Sequence, residues 1–225
     1  MPPPPPPKWE SSVALGFTVT GGNTRTMLAT ANFNTSRKTP LNEFLAGGDG
    51  TYGKDTTGTN DIKSAESLHG FTQYNRLATD RLYYGIRLDG LHDAVAGVNY
   101  RFTAAPLLGY YLIKETNTSL VTELGPGFVY QRQSGQLPSD FATLRLGERF
   151  EHKFSTAARV WENLEILPKV DNFTDYYADG EVGVDTAITK HADWTTYVQD
   201  TYYNIPTPGR LKNDIKLVTG IKYKF

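Results

Sequence analysis

The chain has 225 residues, with 23 Lys plus Arg against 24 Asp plus Glu, and this near-neutral balance gives no basic surface for nucleic acid. It contains no cysteine, which excludes disulfides, thiol catalysis and Cys-ligated zinc. The mean hydropathy is -0.44, and no run of about 18 apolar residues could form a membrane-spanning helix. The strands of a membrane β-barrel alternate and give a weak average hydropathy, so these figures leave that class open.

Residues 1–8 form a proline-rich segment that contains the uninterrupted run from Pro2 to Pro7. Such a run favours a polyproline II rod, and we interpret it as a spacer or disordered tail, with a docking motif for a partner as the alternative. The sequence shows no secretory signal peptide, so we expect either a cytosolic protein or a mature form with Met1 added. We predict that residues 9–225 form one domain.

Apolar residues recur at every second position through much of residues 9–225. In the first such segment, Val13, Leu15, Phe17 and Val19 alternate with small residues. The same period of two is found in residues 81–89, 119–131, 141–151, 177–189 and 213–225. This period predicts β-strands with one apolar and one polar face. Several segments exceed the five or six residues typical of soluble strands and suit the roughly nine to eleven tilted residues that cross a bilayer.

Clusters of Gly, Pro, Asn, Asp and Ser divide the chain at regular intervals, and these residues supply the dihedral angles of turns. They lie at residues 21–23, 37–40, 55–60, 78–80, 92–97, 116–117, 134–139, 152–155, 168–174, 190–192 and 205–210. These breaks leave about twelve strands, and no segment shows a helical period. With the N-terminus placed in the periplasm, the longer breaks fall on the outer side and the shorter ones on the inner side, as in outer-membrane barrels. The short first outer turn, residues 21–23, is the exception.

The polar face distinguishes the two kinds of barrel that fit this alternation. A soluble lipocalin-like barrel hides its apolar face, whereas an outer-membrane barrel turns it to lipid and keeps polar groups inside. Charged residues beside glycines on the polar face of residues 81–89, 145–151 and 179–185 indicate a crowded interior of ion pairs. Tyr and Trp gather at membrane interfaces, and those near predicted strand ends are Trp9, Tyr52, Tyr74, Tyr100, Tyr110, Tyr130, Trp194, Tyr202 and Tyr223.

These patterns predict an all-β fold, a closed antiparallel up-and-down transmembrane β-barrel of about 12 strands. A soluble β-barrel is the alternative at the level of the fold.

The first strand carries a resemblance to a known family. Residues 9–24, WESSVALGFTVTGGNT, resemble the W…LG…TxGNT opening of the family catalogued as domain of unknown function 481, whose members are described as salt-induced outer membrane proteins. The sequences of residues 74–76, 80–85 and 123–128 also resemble those of this family. The resemblance runs from about Trp9 to the end of the chain and implies a bacterial outer-membrane barrel. The family has no established catalytic residues, so it assigns none here.

The last residues, Tyr223, Lys224 and Phe225, resemble the signal read by the barrel-assembly machinery, and we assign Tyr223 and Phe225 to that assembly signal. A chain that ends within a strand suits a closed barrel, whose last strand pairs with its first. We therefore expect the bacterial outer membrane as the location. The expected partners are its lipid bilayer and the barrel-assembly machinery, and no nucleic acid.

The histidines are the candidates for serine–histidine chemistry. We place His92, His152 and His191 in loops or turns and only His69 within a strand, and the sequence has no Gly-x-Ser-x-Gly motif. No His, Asp and Glu cluster has the spacing of metal ligands. We therefore predict no enzymatic activity, no cofactor and no metal. An outer-membrane lipid enzyme that depends on His69 is the least favoured alternative.

Charged residues on the inward face are the main functional candidates. By the alternation they are Arg81, Arg87, Asp89, Arg101, Glu123, Arg145, Arg149, Glu151, Arg159, Glu165, Asp179, Glu181, Asp185, Lys216 and Lys222. We favour a narrow pore whose transverse field selects small charged solutes or ions. The alternative is a non-conducting structural or binding barrel sealed by internal ion pairs. Barrels of about eight strands hold only side chains and those of sixteen an aqueous channel, so twelve strands do not decide between the two.

Overall fold

The protein is described by a computed structural model that places residues 8–19, 24–57 and 60–225. Within these ranges the chain forms twelve strands: β1 (Trp9–Val19), β2 (Thr24–Lys38), β3 (Asn42–Thr57), β4 (Asn60–Leu77), β5 (Leu82–Asp93), β6 (Val98–Lys114), β7 (Thr118–Gln133), β8 (Ser139–Lys153), β9 (Ala158–Pro168), β10 (Tyr176–Ala187), β11 (Ala192–Tyr203) and β12 (Asn213–Lys224). No helix long and apolar enough to cross a bilayer occurs among the described residues.

Each strand pairs antiparallel with its neighbours in the chain, and β12 pairs with β1, so the sheet closes on itself. The β1–β12 register runs from Ser12 opposite Lys224 to Gly16 opposite Gly220. Closure leaves no row of unpaired backbone groups, which a bilayer could not hydrogen-bond. The predicted closed, antiparallel, twelve-stranded β-barrel is therefore confirmed.

The seam between β1 and β12 brings two backbones unusually close together. Gly220 lies opposite Gly16, and a Cβ on Gly220 would overlap the carbonyl oxygen of Leu15. Glycine is required here because any side chain would push the first and last strands apart. The two glycines therefore allow β1 and β12 to approach closely enough to pair.

The connections at the two ends of the barrel differ in length. We call the end that holds Trp9 and Phe225 the inner end, and the opposite end the outer end. The inner connections are residues 39–41, 78–81, 115–117, 154–157 and 188–191. The longer outer connections are residues 134–138, 169–175 and 204–212.

Several residues expected in loops extend the strands instead. Asp55 belongs to β3, His92 to β5 and His152 to β8, where His152 pairs with Thr118. The placement of His92 and His152 in loops is therefore wrong. Strand ends that project beyond a bilayer are hydrogen-bonded by the ladder and by water, so polar composition there does not mark the end of a strand. The predicted turn at residues 21–23 and the first seven residues of the proline-rich segment lie outside the described residues.

The two faces of the sheet differ as the alternation predicts. On β5, Leu82, Tyr84, Ile86 and Leu88 are 38%, 54%, 46% and 45% exposed on the outer surface, whereas Tyr83 between them is fully buried. A small apolar cluster of Tyr83, Leu107, Tyr111 and Val121 lies near the inner end. The other large buried side chains are mainly polar. The fold is therefore apolar outside and polar inside.

Candidate functional site: the charged lumen

The interior of the barrel contains two adjoining spaces. A central cavity of about 450 Å³ is lined by side chains from all twelve described strands. A vestibule of about 650 Å³ opens at the inner end, beside residues 155–158 and His191. Ser12, Asn34, Arg159 and Lys222 line both spaces, so the vestibule adjoins the central cavity.

The charged residues expected on the inward face occupy four kinds of position. Those that line the central cavity are Arg87, Glu123, Arg145, Arg149, Glu151, Arg159, Glu165, Asp179, Glu181, Lys216 and Lys222. Asp89 and Asp185 each form an ion pair with a cavity-lining residue. Arg101 is buried at the outer end. Arg81 lies in the exposed β4–β5 turn, where its guanidinium donates to the carbonyl of Leu112 at 3.4 Å.

A cluster of buried side chains surrounds Glu123, which is only 4% exposed. Its Oε1 accepts hydrogen bonds from Gln73 Nε2 at 2.6 Å and from the Tyr83 hydroxyl at 2.5 Å. Arg149 Nη1 lies 3.0 Å from the same oxygen, and Arg145 Nη1 lies 2.8 Å from Oε2. These five residues, the Glu123 cluster, satisfy both carboxylate oxygens and fill the lumen between β4 and β8.

Ion pairs lead from the Glu123 cluster across the lumen. Arg145 Nε lies 2.5 Å from Glu165 Oε1, and Arg87 Nε lies 3.7 Å from the same oxygen. Arg87 also pairs with Asp89 at 2.7 Å, and its guanidinium lies 4.2 Å from the centre of the Phe71 ring. Because Arg87 is on β5 and Glu165 is four strands away on β9, their contact crosses the lumen and narrows it.

His69 lies within β4, as predicted, and its imidazole faces two carboxylates. Nδ1 lies 3.1 Å from Asp49 Oδ1, and Nε2 lies 3.4 Å from Asp89 Oδ1. Among the described residues, no hydroxyl group hydrogen-bonds to this ring. Serine–histidine catalysis requires a nucleophilic hydroxyl beside the histidine base, and the His69 ring has carboxylates in that position. Within the described ranges, no group of three or more His, Asp or Glu side chains could hold a metal ion.

The seam half of the lumen, from β10 through β12 and β1 to β3, carries carboxylates in a different setting. Asp179 accepts hydrogen bonds from Thr201 at 2.7 Å and Gln199 at 3.2 Å, and Glu181 accepts one from Asn163 at 3.4 Å. With Asp49 on β3 they form what we call the acidic wall. In the described part of the chain, no Lys or Arg nitrogen lies within salt-bridge distance of these three carboxylates.

The boundary between the central cavity and the vestibule is a second ion-pair cluster. Arg159 contacts Glu151 at 2.6 Å and Asp185 at 2.7 Å, and Lys222 Nζ lies 2.7 Å from the same Asp185 oxygen. These residues come from β8, β9, β10 and β12. Their charges are matched by contact, so this inner cluster resembles the Glu123 cluster more than the acidic wall.

Several polar residues that shape the lumen are not predicted by the alternation of the sequence. Glu43 accepts hydrogen bonds from the Tyr111 hydroxyl at 2.6 Å and from Asn75 at 3.4 Å. Asp49 lies in the glycine-rich segment 46–50 of β3, which has no alternation of apolar residues that would assign it to a face. Tyr111 lies in an apolar segment, where the sequence does not indicate that its hydroxyl binds a carboxylate. The register between neighbouring strands determines where these side chains lie.

Comparisons with known proteins agree with this architecture. A family model described as "Protein of unknown function, DUF481" matches residues 13–225. The solved structure of the NanC porin is similar with a TM-score of 0.59 and 9% identity, over 95% of this chain and 100% of that one. The KdgM porin is similar with a TM-score of 0.50 and 11% identity, over 96% and 99% of the two chains. No curated protein sequence matches significantly. At these identities, the structural similarity shows a porin-like fold.

Proposed function

We propose that this chain, which belongs to the family of proteins of unknown function DUF481, is a bacterial outer-membrane β-barrel whose lumen forms a narrow pore for small solutes or ions, with a preference for cations. The observation that carries the proposal is the charged central cavity inside a closed barrel, next to an open vestibule with which it shares lining residues. Buried water-accessible space lined by fixed charges is the physical requirement of a selective pore.

The outer surface supports a location in a membrane. Large apolar side chains such as Phe17, Leu68 and Leu217 are 65%, 65% and 63% exposed on strands that also hold the polar lumen. Soluble proteins seldom expose apolar surface on this scale, whereas lipid makes it favourable. Trp9, Trp194 and Tyr223 near the inner end provide the amphipathic rings typical of an interface.

Contacts between distant strands support a small solute. Asn32 Nδ2 on β2 donates to the Tyr197 hydroxyl on β11 at 3.2 Å, three strands away. Lys216 Nζ on β12 lies 3.4 Å from the Ser67 hydroxyl on β4, four strands away. Together with the Arg87–Glu165 contact, these bridges divide the lumen into narrow passages. A pore of this kind suits ions and small solutes rather than large ones.

The pairing of charges supports a preference for cations. Among the described residues, the arginines that line the central cavity all contact a carboxylate. The cavity-lining carboxylates without a Lys or Arg partner are Glu43, Asp49, Asp93, Glu148, Asp179 and Glu181. Within the described part of the chain they outnumber Lys38 and Lys216, the cavity-lining lysines without a carboxylate partner, even when His69 is counted as a cation beside Asp49. Those of the unmatched carboxylates that are ionised attract mobile cations into the cavity.

One KdgM structure is described as a complex with disordered oligogalacturonate. That ligand is a polyanion, and the unpaired carboxylates of this lumen would repel it. We therefore propose small cations, rather than acidic oligosaccharides, as the solutes of this chain.

A non-conducting structural barrel is the second candidate, and the Glu123 cluster favours it. That cluster fills one half of the lumen with side chains in mutual contact. Extended to the other half, the same packing would seal the barrel. A lipid hydrolase has no comparable support, because both ring nitrogens of His69 face carboxylates.

Recordings from the full-length protein, refolded and inserted into a planar lipid bilayer, test the pore. We expect small unitary conductance steps. Under a KCl gradient, we expect a reversal potential whose sign shows that K⁺ permeates more readily than Cl⁻. Liposomes without protein, and protein unfolded before addition, are the controls. An absence of steps from protein shown to be folded would exclude the pore and favour the sealed barrel. Steps with an anion-selective reversal potential would retain the pore and exclude the cation preference.

A further inference from the structure

The outer end of the barrel is covered by parts of two opposite hairpins. The hairpins β5–β6 and β11–β12 lie on opposite sides of the closed sheet. The β11–β12 connection, residues 204–212, is the longest in the described part of the chain. Its base is fixed, since the backbone N–H of Asn204 donates to the Tyr176 carbonyl at 3.0 Å and the side-chain Nδ2 of Asn204 donates to the Thr174 carbonyl at 2.6 Å. Lys212 Nζ donates to Asn204 Oδ1 at 3.0 Å.

The tip of this connection points inward rather than into solvent. Thr207 is only 8% exposed, whereas Ile205 and Leu211 on either side of it are 53% and 87% exposed. Thr207 lies against Gly97 of the opposite hairpin, so that a Cβ built on Gly97 would be 3.3 Å from Thr207 Cγ2. Residues 204–212 therefore extend across the mouth of the barrel.

A second contact crosses the lumen at the same end. Arg101 on β6 is 7% exposed, and its guanidinium lies 5.0 Å from the centre of the Tyr177 ring and 5.3 Å from that of the Tyr203 ring. Those rings belong to β10 and β11, four and five strands away. Gln131 holds Arg101 from the other side, accepting from Nε at 2.9 Å. These contacts cross the lumen at the outer mouth, whereas the inner end of the central cavity adjoins the vestibule.

The outer mouth contains a buried polar atom without a hydrogen-bond partner. Among the described residues, Thr207 Oγ1 is buried and makes no hydrogen bond. A buried hydroxyl that makes no hydrogen bond is unfavourable relative to its hydrated state. Moving the tip of the connection outward would expose this hydroxyl to water. The same threonine that closes the mouth against Gly97 therefore favours its opening.

We infer that residues 204–212 form a gate over the outer mouth of the pore, closed by Thr207 against Gly97 and by Arg101 between Tyr177 and Tyr203. Residues 205–211 move, while Asn204 and Lys212 keep the base in place. This inference rests on the proposed pore function. Solutes that enter from the inner vestibule pass the outer mouth only when the tip has left Gly97.

A disulfide between the two hairpins tests the gate directly. The chain has no cysteine, so Gly97→Cys with Thr207→Cys introduces a single possible pair. A Cβ at position 97 would lie 3.5 Å from Thr207 Cβ, at the short limit of disulfide geometry, roughly 3.5–4.5 Å. Oxidised and reduced forms of the same protein are recorded in planar bilayers, with each single cysteine variant as the control for effects of the reductant.

We expect the oxidised double variant to lose the open conductance state and to regain it on reduction. The single variants should not respond to the reductant. If the oxidised variant, with its disulfide verified by mass, shows the same openings as its reduced form, the gate is excluded and the pore stands.

Gly97 has a φ of +74°, which disfavours any side chain, so a second variant guards against misfolding. Replacing residues 205–211 by Gly-Asn-Gly removes the tip and keeps the base. This variant should remain open, with fewer closures than the unaltered chain. Unchanged closures would exclude the gate. No conductance from any folded variant, including this one, would instead exclude the pore itself and the gate with it.

Discussion

The half of the lumen around Glu123 and the half around the seam carry their charges in different ways. In the Glu123 cluster, Arg145 and Arg149 contact the carboxylate directly and large side chains fill the space. Around the seam, the cavity wall includes small residues such as Ser12 and Ala14. Among the described residues the acidic wall has no Lys or Arg within salt-bridge distance, and its one basic contact is that of Asp49 with His69.

The net charge of -1 does not show this difference, which assigns the charged residues two roles, stabilising the fold and selecting ions. Where a buried carboxylate is matched by arginine at contact distance, the loss of either partner leaves an uncompensated charge in a poorly hydrated site. Where a carboxylate faces water, its countercharge is mobile, and the residue acts on passing ions more than on the fold. The first half of the lumen should therefore govern stability and the second selectivity.

The largest effect should come from Glu123→Gln, which leaves Arg145 and Arg149 with less than their full countercharge. We expect the free energy of unfolding to fall by about 3–5 kcal/mol, the cost of breaking a buried ion pair on one side. Urea unfolding of the protein in detergent micelles, followed by tryptophan fluorescence, measures it. Asp200→Asn is the matched control, since Asp200 lies outside the cavity and is hydrogen-bonded by Asn213. Equal losses in both variants would remove the distinction between the two settings.

Tyr83→Phe should have a smaller effect on the same cluster. It removes the hydroxyl that donates to Glu123 at 2.5 Å but keeps the ring that packs on Tyr111. We expect a loss of about 1–3 kcal/mol, because the hydrogen bond to the buried Glu123 charge is lost together with the one that the hydroxyl accepts from Arg149 at 3.2 Å. Tyr84→Phe, next along the strand and exposed on the outer surface, is the control and should leave the free energy of unfolding nearly unchanged. A similar loss at both positions would mean that Glu123 does not depend on this donor.

The fold of this chain could be predicted from its sequence because a barrel strand shows a period of two. In residues 213–225 and 81–89 the apolar face is unbroken, and both strands formed where the alternation placed them. The strand ends were less predictable, since Asp55 and His152 look like loop residues but pair across the ladder. Local composition does not report a partner strand.

The arrangement of the lumen was only partly predictable, for a related reason. Alternation assigns Glu123 and Asp179 to the same inward face, but their distances from Arg145 depend on the register between strands. Gln73 and Tyr83 reach Glu123 from 50 and 40 residues away. No pattern in the sequence encodes which inward carboxylate meets an arginine and which remains free.

The acidic wall provides the test with the smallest expected effect on stability. In Asp179→Asn combined with Glu181→Gln, no basic partner loses its countercharge, so the free energy of unfolding should change by less than about 1 kcal/mol. The cation-selective reversal potential under a salt gradient should fall by at least about half, since the charges that concentrate cations are gone. Asp200→Asn again serves as the control and should keep the full reversal potential.

Either half of that result can fail independently, and each failure has a distinct meaning. A loss of stability as large as that of Glu123→Gln would show that Asp179 and Glu181 are held in a network after all, as in the sealed barrel. Unchanged selectivity with unchanged stability would move the preference for cations to other unpaired carboxylates, of which Glu43 and Asp93 are buried. Only a fall in selectivity with retained stability fits a lumen in which one half holds the barrel together and the other half selects the ions.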